Sequence, residues 1–68
     1  ANLIIDIGNT RIKSAFFEGQ EMIMEFVHED LKQAMSSWEN QNFEQCMISS
    51  VKWSDSELKE ILPFDFHY

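Results

Sequence analysis

Apolar positions fall along this chain in two different rhythms, and the change of rhythm marks its elements. Leu3-Ile4-Ile5-Asp6-Ile7 is aliphatic at consecutive positions and broken only by Asp6, the pattern of a central strand covered on both faces. Gly8-Asn9-Thr10 follows at once, and Gly and Asn accept positive φ and close tight turns between strands. Ile12-Lys13-Ser14-Ala15-Phe16-Phe17 continues as a second strand, and Glu18-Gly19-Gln20-Glu21 turns the chain again. Met22 to Val27 then alternates, with Met22, Met24 and Phe26 on one face and Ile23, Glu25 and Val27 on the other. That pattern predicts a half-buried third strand whose Met and Phe stripe faces the core.

From Glu29 to Gln41 the period lengthens. Leu31, Ala34, Met35 and Trp38 stand at i, i+3, i+4 and i+7, one stripe of an amphipathic helix. Asp30 with Gln33 offers a capping box, the acidic first turn suits the helix dipole, and Asn40 and Asn42 end the helix. Phe43 to Val51 is the next strand. Ser54-Asp55-Ser56-Glu57 is a second capping box, opening a short helix with Leu58, Ile61 and Leu62 inward and Pro63 as its stop. Phe64-Asp65-Phe66-His67-Tyr68 alternates aromatic and polar as a fifth strand would, and a chain that ends there reads as truncated.

This order, β-β-β-α-β-α-β, predicts an α/β fold. The fourth strand follows the third through a helix, so the connection is a crossover and the strand lies parallel to the first in the same sheet. The expected spatial order is 3-2-1-4-5. The carboxyl ends of parallel strands are where ligands bind in open α/β sheets. Gly8 and the pair Ser49-Ser50 both belong to that rim, although the serines also suit simple strand termination.

If Asn9 and Thr10 form a two-residue loop, Gly8 pairs with Arg11, Ile7 with Ile12 and Asp6 with Lys13. A one-residue slip would set Arg11 or Ile12 opposite Asp6 instead. In the favoured register the turn offers backbone N–H groups, an amide, a hydroxyl and an ammonium to phosphate oxygens, with Asp6 placed to hold a hydrated Mg²⁺. Phosphoryl transfer needs such parts, because its catalysis is mostly positioning and charge stabilisation. The same residues also suit a surface hairpin with an ion pair worth roughly 0–1 kcal/mol.

Charge and composition narrow the classes. The chain has 68 residues and a formal charge of −7, and its five basic residues form no cluster able to displace counterions from a nucleic acid. A chain of this length buries only about 60% of the surface its unfolded form exposes, so the core is small. Cys46 is the only cysteine, which excludes a disulfide-stapled scaffold and suits the cytoplasm. No apolar run approaches the ~20 residues of a spanning helix, and Leu3 to Ile5 is too short for a signal sequence. His28 and His67 have no second ligand at metal spacing. Trp38 and Trp53 suit packing.

The string Asp6-Ile7-Gly8-Asn9-Thr10-Arg11-Ile12-Lys13 resembles the first phosphate-binding motif, D-x-G-N-T-x-x-K, of type III pantothenate kinases, also called the Bvg accessory factor family. Ile48-Ser49-Ser50-Val51 resembles the I-S-S-V that ends a parallel strand in the same kinases. The resemblance implies the N-terminal part of a ribonuclease-H-like, actin-like ATPase domain over residues 1–68, with the rest of that domain and a second domain absent. It implies ATP-dependent phosphorylation of pantothenate to 4′-phosphopantothenate, the first step toward coenzyme A, with Mg²⁺ and a monovalent cation, K⁺ or NH₄⁺. It implies a homodimer. Asp6 would organise Mg²⁺ through water, while Asp6, Gly8, Asn9, Thr10 and Lys13 would meet the ATP phosphates.

The family's later G-x-D-R motif, with the general base, is not in this chain, nor are its second phosphate motif and adenosine-binding glycines. The fragment alone is therefore expected to be inactive. Two other classes stay open. One is another ATP-dependent member of the superfamily, a sugar kinase or an actin-like ATPase. The other is a non-enzymatic acidic interaction module working through an exposed sheet edge.

Overall fold

A computed structural model describes all 68 residues, Ala1–Tyr68. Four strands form one mixed sheet: β1 (Asn2–Ile7), β2 (Ile12–Glu18), β3 (Glu21–His28) and β4 (Gln45–Ser50). Two helices, α1 (Leu31–Trp38) and α2 (Asp55–Ile61), complete the fold. The strands stand in the order β3-β2-β1-β4, with β1 antiparallel to β2 and parallel to β4. The segment expected as a fifth strand makes a single parallel bridge, Met47 with His67, held by two backbone bonds of 2.8 Å.

Both helices contribute to one core on one face of the sheet, so the molecule has two layers. Leu3, Ile5 and Ile7 of β1, Ile12 and Phe16 of β2, and Cys46 and Ile48 of β4 meet Leu31, Ala34 and Trp38 of α1 and Leu58 and Leu62 of α2. The expectation that β1 is covered on both faces is thereby corrected. Its even positions turn to an open face, where Ile4 is 43% exposed and Asp6 is exposed. Consecutive aliphatic residues look alike whether or not a second layer arrives, because side chains alternate across a strand regardless of what covers them.

Strand β3 also departs from its expected pattern. It is the sheet edge, and a bulge opposite Phe16 and Phe17 breaks the alternation and turns Met22 to the open face; Met24 keeps the face of Phe26 but is exposed, and only Phe26 packs against the core. Met22 pairs with Phe17 and Met24 with Phe16, leaving Ile23 as the extra residue. The tight turn into β3 rests on Gly19, whose φ of 61° is the left-handed conformation that suits glycine.

Helix α1 is shorter than its periodicity suggests. Asp30 caps it, its Oδ1 accepting the Gln33 N–H at 2.8 Å. Glu29 and Asp30 thus precede the first turn, which holds no acidic residue, and the helix ends at Trp38, before Asn40. The α2 capping box forms in full: Ser54 Oγ accepts the Glu57 N–H at 3.2 Å and Glu57 Oε1 accepts the Ser54 N–H at 2.9 Å. Ile61 is 41% exposed rather than inward, because α2 leans on the core through Leu58 and Leu62. Trp38 is buried, and its indole N–H donates to the equally buried Ser14 Oγ at 2.9 Å.

Two measurements follow from the packing. Cys46 lies in the core, and burial pushes its thiol up to about 12, so the folded chain holds almost no thiolate at pH 8. Iodoacetamide is expected to leave Cys46 unmodified in buffer and to alkylate it in denaturant; fast labelling of the folded chain would contradict this packing.

The Ala1 ammonium lies 2.8 Å from Glu18 and 2.7 Å from Glu44, joining the ends of β2 and the strand-entry loop of β4. Hydrogen bonding to Glu18 first and Glu44 second raises the ammonium above its usual 8.0, and the same contact lowers Glu44 below 4.5. A raised ammonium stabilises fully below about pH 8 and loses that contribution as pH climbs through the folded value. A lowered carboxylate stabilises above its ordinary range and loses that contribution as pH falls through the folded value. Acetylating Ala1 is therefore expected to lower the thermal midpoint slightly near pH 6, with the difference from the free amine vanishing in strong alkali. An equal difference at every pH would show that the ammonium charge is not involved.

Candidate phosphate-binding turn

The β1–β2 connection adopts the favoured register. Ile7 faces Ile12, Asp6 faces Lys13, and the Gly8 N–H donates to the Arg11 carbonyl at 2.8 Å. The turn itself differs from the expected one. No residue other than Gly19 has positive φ, so neither Gly8 nor Asn9 uses the left-handed region, and a Cβ at Gly8 would sit in ordinary contact, 3.4 Å from the Arg11 oxygen. The Arg11 N–H does not close back on Gly8. The backbone N–H groups of Asn9, Thr10 and Arg11 consequently find no acceptor within the chain. Three successive unclaimed donors on a turn are what an anion requires of a backbone.

Topology sets the remaining groups around this turn. Ser49 is the β4 neighbour of Asp6, and Lys13 its β2 neighbour, so the three share a row across the open face that ends with Val27 on β3. Asp6 and Lys13 stand opposite each other, yet they form no ion pair, which leaves both charges free for a ligand. Ser50 is committed to the chain: its Oγ accepts the N–H groups of Lys52 at 3.1 Å and Trp53 at 2.9 Å. The Tyr68 hydroxyl reaches the carbonyls of Ser50 at 3.2 Å and Trp53 at 2.9 Å, holding the same corner from outside.

On the helix side of the turn lies a cleft of about 180 Å³, lined by Asn9, Thr10, Arg11, Asp30, Lys52 and Trp53 among others. Lys52 lies over the Trp53 ring, 4.8 Å from its centroid. Lys52 is the group that sequence reasoning missed, having counted it among scattered cations. Its position directly after Ser49-Ser50-Val51 was the available signal, since β4 runs parallel to β1 and delivers its C-terminal residues to the same rim. Three of the chain's five basic residues, Arg11, Lys13 and Lys52, therefore gather at this end of a molecule with charge −7.

Asp6 supplies one exposed carboxylate, and no group of three His, Cys, Asp or Glu side chains forms a cage. Such a donor set fits Mg²⁺ held through its own waters, because that ion keeps much of its hydration shell when it accompanies phosphates. His28 is engaged elsewhere, with Nε2 2.9 Å from Ser37 Oγ and Nδ1 buried without a partner.

No protein-family model, curated protein or solved structure matches the chain. No helix is long and apolar enough to cross a membrane.

Proposed function

We propose that these residues are the opening of the first domain of an ATP-dependent kinase resembling the type III pantothenate kinases, with a ribonuclease-H-like fold and the sheet order 3-2-1-4-5. The observation that carries the reading is the β1–β2 turn: a D-x-G-N-T-x-x-K string whose register sets Asp6 beside Lys13 and whose turn leaves three backbone donors unclaimed. The mixed sheet, with Ser49 beside Asp6 on a parallel strand, is compatible with it.

In the parent protein ATP with Mg²⁺ supplies the transferable phosphoryl group. The N–H groups of Asn9, Thr10 and Arg11 and the Thr10 hydroxyl bind phosphate oxygens, Lys13 offsets their charge, and Gly8, its own N–H bonded to Arg11, lets the phosphates approach the turn. Asp6 would hold Mg²⁺ through the ion's own waters. The acceptor is pantothenate, its hydroxyl deprotonated by a base outside this chain, and the parent works in the cytoplasm as a homodimer with K⁺ or NH₄⁺. These 68 residues alone are inactive, because they hold no general base for the acceptor.

The test is ADP release by the complete parent chain with and without pantothenate. Release that depends on pantothenate supports the assignment. Release that ignores it moves the protein to a sugar kinase or an actin-like ATPase.

A further inference from the structure

The β3 edge carries a second feature, independent of the turn. We infer that the free edge of β3 (Glu21–His28) is a docking site for an extended basic segment of a partner protein, which adds to the sheet as a fresh strand beside it. Bonding on β2 alternates: the Gly8–Arg11 bond places the β1-facing groups of β2 at Lys13, Ala15 and Phe17, so Ile12, Ser14 and Phe16 bond to His28, Phe26 and Met24. The backbone N–H and C=O groups of Glu25 and Val27 therefore point away from the sheet, with no strand beyond them.

Natural edges are usually blunted by lysine, by proline or by a covering loop. This one has no lysine, arginine or proline between Glu18 and Asp30, and its bulge lies toward the Gly19 end, leaving Met24 to His28 in regular pairing. Its side chains are sticky and acidic together. Met22, Ile23 and Val27 are about half exposed, and Glu21 and Glu25 are exposed with no ion pair.

That charge selects the occupant. Glu29, just beyond β3, extends the same sign past the end of the edge, while Glu18 at the end of β2 is already paired with the Ala1 ammonium. A second copy of this chain would bring the same glutamates and a charge of −7 to the contact. A strand alternating lysine or arginine with aliphatic residues sets its basic side chains on the open face beside Glu25 and its aliphatic ones on the other face beside Met24 and Phe26. Strand addition of this kind takes its affinity from main-chain bonds and its selectivity from alternate side chains.

The probe is the acetylated, amidated peptide Lys-Val-Lys-Val-Lys-Val-Lys, titrated into the isotope-labelled 68-residue chain and followed by amide NMR. Shifts centred on Glu25 and Val27, with those amides gaining protection from exchange, are the expected result. The same peptide N-methylated at alternate residues keeps its charge and loses its donors, so it should bind at least about tenfold more weakly.

Val27→Pro removes an outward N–H and spares the β2 ladder, and should abolish binding. Glu25→Gln, a milder change that leaves the backbone untouched, should weaken it about two- to fivefold. Equal binding of the methylated peptide, shifts spread over the whole acidic surface, or concentration-dependent self-association that the peptide does not compete with would each overturn the inference. ADP release by the parent does not bear on it, so it stands or falls separately from the kinase reading.

Discussion

Trp38→Ala is expected to leave the chain without a cooperative unfolding transition at 25 °C. Trp38 is 2% exposed at the end of α1, with Phe64 packed edge-on at 6.2 Å. Truncating a buried tryptophan costs about 3–5 kcal/mol. A single core in a domain this small supplies about that much in total. The indole also satisfies Ser14, the one buried polar side chain of the core, so the substitution strands a hydroxyl inside the sheet layer.

Ser14→Ala makes the comparison informative. It removes the acceptor while keeping the ring, and leaving a buried N–H unpaired costs about 1–3 kcal/mol. Circular dichroism melts should rank wild type above Ser14→Ala above Trp38→Ala. A cooperative, near-native melt for Trp38→Ala would mean that α1 is not held to the sheet by this residue.

Under the kinase function proposed above, Asp6→Asn is expected to cut pantothenate-dependent ADP release by the complete parent chain by roughly two to three orders of magnitude in kcat, the scale seen when a preorganised electrostatic group is lost. The exchange keeps shape and hydrogen-bonding capacity and removes only the charge. Asp6 is exposed and forms no ion pair, so the 68-residue chain should melt at an unchanged temperature. That separation is the useful feature. Lost turnover with an unchanged melt assigns the carboxylate to chemistry, whereas unchanged turnover would remove Asp6 from the mechanism and leave the turn without a metal-organising group.

The parts of the fold legible in the sequence were those governed by short-range chemistry. The hairpin followed from Gly8-Asn9-Thr10 between two apolar runs, and the α2 capping box from Ser54 and Glu57, because each depends on residues within a few positions; the hairpin register stayed open to a one-residue slip until the structure fixed it. The parallel placement of β4 followed from the helix before it. What stayed hidden depends on distant neighbours. Leu3-Ile4-Ile5 reads the same under one layer or two, so the open face could not be inferred from β1 alone. The β3 bulge turned Met22 to the open face without any glycine to announce it, and Met24, though in phase with Phe26, is left exposed at the edge. Ile61 sits at a plausible inward spacing and is left out because Leu58 and Leu62 already fill the contact.

The site divided in the same way. Pairing rules set Asp6 opposite Lys13 in the favoured register, with a one-residue slip left open, while the unclaimed donors of Asn9, Thr10 and Arg11 depend on a turn that forgoes the bond from Arg11 to Gly8. Lys52 reaches the cleft only because the chain returns beside β1 after a helix.

That return has a kinetic consequence. β1, β2 and β3 are joined by short turns, so their pairing closes small loops at little entropic cost. β4 meets β1 through pairs such as Asn2 with Gln45, separated by most of the chain, and that closure is the slow and expensive step. The order of assembly therefore runs from meander to completed sheet. Lys13 comes to face Asp6 early, and Ser49 and Lys52 join them only when the last strand docks.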